Sequence, residues 1–538
     1  MSTPPETFDH VVIGAGSAGC ALAARLTENP ATRVLLIEAG EDDPWVWIRI
    51  PAGVAKIMLG ERALWRFMTE PSPGLGGRAL FCPRGKVLGG TSSVNGMFWV
   101  RGDPLEYDRW AAMGNRNWGW TDLLPVFKRM ESYALGDPAV RGHEGPLVVS
   151  PVKPLDRLSA AFIAACGEAG IGINADTNSG HYAGAGTIQM STRRGLRWST
   201  REGYLRPAMR RPNLRVVTGA QVTRLVFDGA RACGAEYRTA SGLHTAHAQA
   251  DVVLCAGTIQ SPQLLELSGI GERSRLERLG IAVRHDLPGV GENLIDHLHG
   301  RLMVEARGVA SMNTLLKSPW AKFSMALRLA LLGDGPMSTP AATAHAYVRT
   351  TPGLAQPDIK LQLHHLSSPD ERNPTRLVLD DFPGFSIGMV HQQPRSRGSV
   401  HVASNDPLAA PIIAPNYLSN DEDIAAFVRG LRVARRVVAQ PALAQHVVRE
   451  TRPGPGADSD PALIDYLRST LFSSYHPVGT CRMGSDRLAV VDDRLRVHGV
   501  PGLRIADASV APTMPASNTN AFAILAGERC ADFILAEA

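Results

Sequence analysis

Three glycines near the start of the chain have the spacing that a bound diphosphate requires. In the segment 14–19, GAGSAG, Gly14 permits a tight turn, Gly16 lets a ligand approach the backbone, and Gly19 lets a helix and a strand pack closely. Nineteen residues after Gly19, Glu38 is placed to accept hydrogen bonds from a ribose, and its charge would repel a 2′-phosphate. The expected chemistry is the binding of an adenine dinucleotide other than NADP.

The elements around these glycines must hold them in that geometry. The sequence predicts an apolar strand over 8–13, a helix from Ser17 and a second strand over 34–37 that ends just before Glu38. The helix would direct free N–H groups and its positive end at the phosphates. The alternative is a strand–helix–strand unit without a ligand, which the glycine spacing and the acid disfavour.

Composition limits the fold and the partners. The 538 residues suffice for two or more domains, and 44% hydrophobic with 20% charged residues is ordinary for a globular protein. The net charge of +5 is small and the arginine pairs are isolated, so no nucleic-acid partner is expected. Seven dispersed cysteines argue against a disulfide framework or a zinc site, and the pairs His364-His365 and His297 with His299 are not expected to bind metal. No secretory signal or spanning segment is recognised, which predicts a cytoplasmic protein and leaves peripheral membrane association and the oligomeric state open.

Between the glycine turn and the middle of the chain, the sequence predicts one glycine-rich segment and two helices. Glycine-rich residues 72–100 predict an extended segment or a flexible loop. Helices are predicted to begin with Thr121 and Ser261 as N-caps, the second of them after a glycine turn at Gly257.

In the second half of the chain the hydrophobic pattern becomes typical of antiparallel strands, and near the C-terminus it again resembles that of the nucleotide unit. Alternating residues at 359–363 and 398–402 predict antiparallel strands, whereas 503–508 predicts another short buried strand and 521–536 a closing helix. This order indicates a nucleotide domain built from separated segments, with a sheet-based domain inserted.

Further stretches resemble the glucose–methanol–choline (GMC) family of FAD oxidoreductases. The segment 85–95, GKVLGGTSSVN, resembles the family's first pattern, and 257–271, GTIQSPQLLELSGIG, matches its second. The segments 476–480, HPVGT, and 506–509, ADAS, followed by 518–520, NTN, resemble its C-terminal active-site half. The likeness covers essentially the whole chain and points to the choline dehydrogenase and aryl-alcohol (hydroxymethylfurfural-type) oxidase branches.

The resemblance implies an α/β fold, α+β overall, in two domains. A discontinuous Rossmann-like FAD-binding domain is expected over 1–150, 200–300 and 460–538. A substrate-binding domain, built on a mostly antiparallel sheet covered by helices, is expected over 151–199 and 301–459.

It also implies where FAD lies. Asp507 is expected near the ribityl and pyrophosphate groups, Val222 near the adenine through its backbone, and Asn95-Gly96 against the flavin ring. Some members bond FAD covalently to a His at the position of Val94, which has no nucleophile, so non-covalent binding is expected. The implied FAD contacts are Gly14, Gly16, Ser17, Ala18, Glu38, Ala39, Arg84, Gly89, Gly90, Ser92, Asn95, Gly96, Met97, Val222, Ala256, Gly257, Asp507, Ala508, Asn518 and Thr519.

His476 and Asn518 are the expected catalytic pair. Hydride leaves an alcohol carbon once the hydroxyl proton is removed, and a histidine suits this as a general base because its pKa is near neutrality. An amide at Asn518 can hydrogen-bond the alcohol or alkoxide oxygen. Trp65, Gln362 and Tyr475 are candidates for the substrate cleft, although packing in the core explains Trp65 equally well.

The expected reaction is oxidation of a primary alcohol to the aldehyde, with the acid as a further product left open. Choline-type relatives hold the trimethylammonium group with a Glu, and the alignment places Thr343 there, so an uncharged alcohol is expected instead. Electrons would pass to a quinone-type acceptor or to O2. A hydroxynitrile lyase or a flavin photodecarboxylase on the same fold is the alternative, and His476 counts against the second.

Overall fold

The structure is a computed structural model that describes residues 6–153, 155–369 and 378–537. Two seven-stranded sheets organise these residues, and a large hydrophobic core packs against each of them. A search of the described helices for one long and apolar enough to span a bilayer found none.

The first sheet contains the predicted nucleotide unit. Parallel pairing joins five strands, so the carboxyl ends of these strands lie at the same edge of the sheet. The last two strands extend the sheet antiparallel. The spatial order is Leu214–Val217, Val34–Ile37, Glu6–Ile13, Gly242–Leu254, Arg231–Thr239 and Gln221–Asp228, with Leu503–Ile505 also paired to Gly242–Leu254.

The glycine segment folds as its spacing requires. Gly14 has φ of +100°, a conformation that a side chain rarely adopts, and it turns the chain into the helix Ser17–Leu26. A Cβ at Gly19 would overlap the carbonyl oxygen of Gly14. The C-terminal helix Asn520–Leu535 packs against Ser17–Leu26.

The second sheet is antiparallel in every pairing of its described strands. The helix Asp421–Val438 packs on it through the apolar face that includes Phe427 and Leu431. The spatial order is Val447–Arg452, Leu298–Ala306, Gly384–His391, Ile359–His364, Ala342–Val348 and Gly184–Thr187, with Phe472–Ser473 also paired to Leu298–Ala306. The predicted fold class, a Rossmann-like unit beside a mostly antiparallel sheet, is confirmed.

Shorter elements complete the described chain. The remaining α-helices are Val46–Arg49, Val54–Leu59, Pro104–Ala112, Trp120–Met130, Arg157–Glu168, Arg206–Ala208, Gly257–Leu267, Arg273–Arg278, Met312–Leu315, Pro319–Leu332, Pro441–Ala444 and Asp460–Thr470. The two-stranded pairs are Leu64–Met68 with Phe81–Gly85, Glu131–Ser132 with Leu147–Val148, Ser150–Pro151 with Gln189–Met190, Thr192–Arg193 with Leu196–Arg197, Ile270–Gly271 with His285–Asp286, and Ser399–His401 with Ile412–Ala414.

Both predicted N-caps are wrong. The helix Trp120–Met130 already contains Thr121 and has Gly119 at its N-cap. The helix Gly257–Leu267 likewise contains Ser261, whose hydroxyl donates to Asp507 instead (2.6 Å). In both places the tertiary structure starts the helix earlier than the local capping signal does.

The division into domains stays a prediction. The strands of the first sheet fall within the segments predicted for the FAD-binding domain. The strand Phe472–Ser473, however, lies inside the 460–538 segment and pairs with Leu298–Ala306 of the second sheet. The two predicted units are therefore interleaved close to His476.

Candidate active site

An elongated cavity is lined by residues from both sheets. Gly14 and Glu38 line it at the glycine turn, and Lys360, Gln362 and His476 line it where the second sheet approaches. A ligand in this cavity would touch chain segments that are hundreds of residues apart.

Glu38 sits at the adenosine end of the cavity, if the cavity holds the predicted dinucleotide. Its two carboxylate oxygens accept hydrogen bonds from the backbone N–H groups of Ala15 and Gly40, each at 2.8 Å. Burial raises the pKa of Glu38 to about 7, and those two N–H groups act in the opposite direction. The carboxylate is thus fixed in place beside the glycine turn, where it can accept ribose hydroxyls.

Asp507 and Gly257 form the middle of the cavity wall. Asp507 accepts the backbone N–H groups of Gly257 (2.8 Å) and Ser509 (2.8 Å) in addition to the Ser261 hydroxyl. Gly257 has φ of +87°, and a Cβ there would have no heavy atom within 4 Å. The backbone at this turn is therefore open to a ligand.

These features fit FAD. Its adenosine diphosphate half needs the glycine turn, the helix N-terminus and the acid, and all three are present. Its flat ring needs a surface beyond the reach of one strand–helix–strand unit, and the segment 94–98 lines the cavity on the way to His476.

Most of the predicted FAD contacts line this cavity. Gly89 and Ser92 do not. The backbone N–H of Gly89 donates to Ala15 (2.8 Å), and the Ser92 hydroxyl donates to Gly89 (2.6 Å) and shares a hydrogen bond with Thr200 (2.9 Å). They hold the loop behind the wall. The predicted residues that do line it are Gly14, Gly16, Ser17, Ala18, Glu38, Ala39, Arg84, Gly90, Asn95, Gly96, Met97, Val222, Ala256, Gly257, Asp507, Ala508, Asn518 and Thr519.

Asn95 and Val94 lie where the ring is expected. The side-chain oxygen of Asn95 accepts from the Met97 N–H (2.9 Å) and from Arg197 (2.8 Å), which fixes the amide. Val94 lines the cavity with an aliphatic side chain. On the other wall, Arg84 donates to the carbonyl of Tyr475 (2.9 Å).

His476 and Asn518 meet at the far end of the cavity. The Nδ2 atom of Asn518 lies 3.0 Å from Nε2 of His476. The backbone N–H of His476 donates to Asp296 (2.8 Å), and Asp296 is itself held by the hydroxyls of Tyr417 (2.5 Å) and Ser473 (2.6 Å). This buried carboxylate anchors the loop that presents the imidazole.

Two functional neighbours escaped the sequence analysis. His297, for which the sequence predicts no role, places its Nδ1 3.1 Å from Nδ1 of His476. Lys360 donates from Nζ to Oδ1 of Asn518 (2.8 Å). The signal was available for the lysine, because alternation along Ile359–His364 puts Lys360 on the same face as Gln362.

The electrostatics keep the imidazole neutral. Burial lowers the pKa of His476 well below the usual 6.5, and His297, Lys360 and Arg84 lower it further. Burial also lowers the pKa of His297 to about 3 and that of Lys360 to about 7. A neutral imidazole can accept a proton.

The cleft predictions have mixed outcomes in the geometry. Gln362, Tyr475 and Trp65 all line the cavity. Trp65 also stacks on Phe67 at a ring distance of 6.0 Å, so it both lines the cavity and packs against a hydrophobic cluster. Thr343 does not line the cavity, and its hydroxyl is hydrogen-bonded to Ser159 (2.6 Å) and His365 (2.8 Å).

The carboxylates that line the cavity belong to the first sheet. Among the described lining residues only Glu38 and Asp507 carry one, and both follow strands of the first sheet. The described residues also contain no group of three histidines, cysteines or acids that could hold a metal ion.

Comparison with known proteins agrees with this geometry. The N-terminal GMC oxidoreductase model matches residues 8–299 and the C-terminal one matches 394–527. The chain is 37% identical to an alcohol dehydrogenase [acceptor] of Pseudomonas putida, covering 98% of this chain and 96% of that protein. It is 38% identical to an oxygen-dependent choline dehydrogenase of Photobacterium profundum, covering 98% and 93%. Among solved structures, pyridoxine 4-oxidase from Mesorbium loti has a TM-score of 0.88 at 32% identity, covering 98% of each chain.

The chain belongs to the GMC oxidoreductase family. It is an FAD-dependent oxidoreductase that acts on alcohols.

Proposed function

We propose that this enzyme oxidises an uncharged primary alcohol, aromatic or aliphatic, to the aldehyde, and that His476 and Asn518 carry out the proton chemistry. The observation that carries the proposal is the 3.0 Å contact between Asn518 Nδ2 and His476 Nε2 at the end of the cavity. A hydroxyl placed there could donate its proton to Nε2 while Nδ2 donates to the oxygen.

FAD, bound without a covalent link at Val94, would supply the hydride acceptor. The residues that would hold it are those of the glycine turn, Glu38, Asn95 and Asp507. The chain's own contribution to the step is to orient the alcohol oxygen and to take its proton, because a neutral His476 is available below the ordinary histidine pKa.

Around His476 the described lining residues include no carboxylate, since Asp296 faces the backbone of His476 and does not line the cavity, and this argues against a cationic alcohol. Choline carries a permanent positive charge, and the cationic side chains Lys360 and Arg301 line this end of the cavity. Like charges repel, and a buried cation without an anion is costly.

Steady-state rates on benzyl, furfuryl, alkyl and choline alcohols test the substrate class. We expect the uncharged alcohols to have the larger kcat/KM, and a clear preference for choline would contradict the proposal. Product analysis by chromatography shows whether the reaction stops at the aldehyde or continues to the acid.

The reaction class and the electron acceptor are tested separately. Anaerobic addition of a good alcohol should bleach the flavin absorbance, whereas turnover with an unbleached flavin would indicate a lyase. Reoxidation of the bleached enzyme in a stopped-flow instrument, with air or with a soluble quinone, then identifies the acceptor. The cytoplasm is the proposed location.

A further inference from the structure

The helix Pro319–Leu332 exposes apolar side chains on the side that should be polar. Trp320, Phe323, Leu327 and Leu331 are exposed, Trp320 by 75% and Leu331 by 72% of their surface. At 3.6 residues per turn these four lie within one stripe about 80° wide. The buried Met325 and Leu329 point in the opposite direction. The four exposed residues are here called the docking face.

A surface of this kind is not explained by the fold. Isolated exposed apolar residues are normal, but a contiguous stripe that includes a tryptophan and a phenylalanine marks an interaction site. The rings of Trp320 and Phe323 lie 5.6 Å apart, so they form one patch.

The charges around the docking face are predominantly positive. Lys317, Lys322 and Arg328 belong to this helix or immediately precede it, and the hairpin Thr192–Arg193/Leu196–Arg197 brings Arg194 against Gly333 at its end. Asp334 pairs with Arg328 and Asp381 with Lys317, which leaves Lys322 and Arg194 without an ion pair among the described residues.

We propose that the docking face binds an anionic lipid bilayer surface. An apolar stripe with Trp, Phe and Leu, flanked by Lys and Arg, lies in the plane of a membrane interface, with its apolar side chains among the lipids and its cations at the headgroups. The proposal does not depend on which substrate the enzyme oxidises.

Vesicle co-sedimentation of the holoenzyme tests the docking face. We expect binding to vesicles that contain phosphatidylglycerol, weaker binding to pure phosphatidylcholine, and at least about a tenfold loss of binding for Phe323→Glu combined with Leu331→Glu. The matched control is Leu135→Glu combined with Leu243→Glu, since both leucines are exposed elsewhere.

Equal vesicle binding by both double variants would overturn the proposal. So would a concentration-dependent dimer in sedimentation velocity that only Phe323→Glu with Leu331→Glu abolishes, because the face would then be covered by a second copy of the chain. The flavin spectrum of each variant checks that it is folded.

A second inference comes from Lys360, an independent observation. Lys360 is 3% exposed, and no described aspartate or glutamate pairs with it. Its Nζ lies 5.2 Å from the ring centre of Phe98 and 5.6 Å from that of Tyr347. A buried cation whose partners among the described residues are an amide and two aromatic rings destabilises the fold, and we infer that it serves the site.

The hydrogen bonds around His476 form a chain whose direction is fixed at both ends. At one end the ammonium form of Lys360 can only donate, so the atom of Asn518 that faces it is the oxygen, and Nδ2 must donate to Nε2 of His476. At the other end the carbonyl of Gln392 can only accept, so Nε2 of His297 carries a proton (3.0 Å).

The constraints at Lys360 and at the Gln392 carbonyl lead to the same protonation state of His476. Since His297 is neutral with its proton on Nε2, its Nδ1 must accept from Nδ1–H of His476. Nε2 of His476 is then unprotonated, and its lone pair accepts from Nδ2 of Asn518 until an alcohol hydroxyl takes that place. A reversed amide at Asn518 would break this agreement.

We propose that Lys360 is a positioning residue that holds the Asn518 amide with its nitrogen toward His476. This orientation leaves Nε2 unprotonated to receive the alcohol proton, and it keeps Nδ2 directed at the alcohol oxygen. The inference rests on the proposed roles of His476 and Asn518.

Replacing the lysine should release the amide. In Lys360→Met we expect kcat to fall about tenfold with little change in KM, because the interaction lost acts mainly on the developing alkoxide. The acidic limb of the kcat/KM profile should move to higher pH. Removing the cation and letting Oδ1 accept from Nε2–H both stabilise protonated His476, which His297, His299 and Arg84 also face.

Two further variants make the test decisive. Lys360→Gln keeps a donor without the charge and should restore much of kcat, and Lys360→Met should have no further effect on kcat in an Asn518→Ala background. Additive losses, or a loss in Lys360→Met without a shift of the pH limb, would reject the positioning role. If His476→Ala stays active, it is the proposed function that fails.

Discussion

At the scale of single residues, the site is a set of polar groups that constrain one another. Asp296 fixes the loop of His476, and Asn518 faces the imidazole at 3.0 Å. Burial removes the water that would otherwise stabilise a charged imidazole, so His476 is unprotonated, and able to accept a proton, at the point where a hydroxyl would arrive.

Removing the base should slow the chemistry without emptying the flavin site. We expect kcat of His476→Ala to fall by about 10²- to 10⁴-fold, the usual contribution of a general base. Asn518→Ala should fall by a smaller factor. Steady-state kinetics and the flavin absorbance per protein measure the two effects, and near-wild-type kcat in His476→Ala would contradict the assignment.

The pH dependence follows from the sign of the shift. A base whose pKa lies below 6.5 stays unprotonated down to that lower pKa, so the acidic limb of kcat/KM, which protonation of His476 causes, should lie below pH 6.5. Initial rates measured across pH on one alcohol test this. An acidic limb at or above 6.5 would show that the imidazole is more easily protonated than its surroundings indicate.

At the scale of elements, the glycine turn and the helices around it pack too closely to accept added side-chain atoms. The backbone of Gly14 approaches Gly19 of the helix Ser17–Leu26, and Gly527 of the C-terminal helix lies against Ala18. Tyr204 and Arg129 donate to Glu528 on the C-terminal helix at 2.8 Å and 2.9 Å, which ties further segments to the same place. Close packing here positions the helix N-terminus that would face the pyrophosphate.

A methyl group at Gly19 should disturb that packing. In Gly19→Ala the added Cβ meets the Gly14 carbonyl, so we expect a loss of about 1–3 kcal/mol of stability, as for other overpacked sites, and weaker FAD binding. Thermal unfolding and flavin titration of the apoprotein measure both. Gly172→Ala is the control, because a Cβ there has no heavy atom within 4 Å; an equal effect in both would contradict the packing argument.

At the scale of the whole molecule, the cavity lies between the two sheets. A ligand that fills it would be longer than the binding surface of either sheet. Residues from the glycine turn, the segment 94–98, the second sheet and the loop of His476 all line it. A ligand in such a position stabilises the folded state, because unfolded chains cannot bind it.

FAD should therefore be both removable and stabilising. Acid precipitation should release the flavin into the supernatant, since Val94 offers no atom for a covalent bond. The apoprotein should unfold at a lower temperature than the holoenzyme, by an amount that grows with added FAD and corresponds to about 2.7 kcal/mol at a hundredfold excess over Kd. Flavin that stays with the precipitate would refute non-covalent binding.

The sequence by itself determined the features that contiguous residues encode. The turn at Gly14, its helix and the acid at Glu38 follow from backbone geometry over some 25 residues, and the family resemblance extended that to the fold. The buried alternation of Ile359–His364 predicted a strand, although not what its Lys360 contacts.

Only the tertiary structure decided how the polar groups at the far end connect. Lys360 and Asn518 are 158 residues apart, and His297 and His476 are 179 apart. These pairs meet because strands of the second sheet and two loops converge in one place. Tertiary packing also starts two helices before their local caps, and it leaves Thr343 outside the cavity. Local patterns carry backbone requirements, whereas a hydrogen-bond chain depends on the register and packing of distant elements, which no short segment contains.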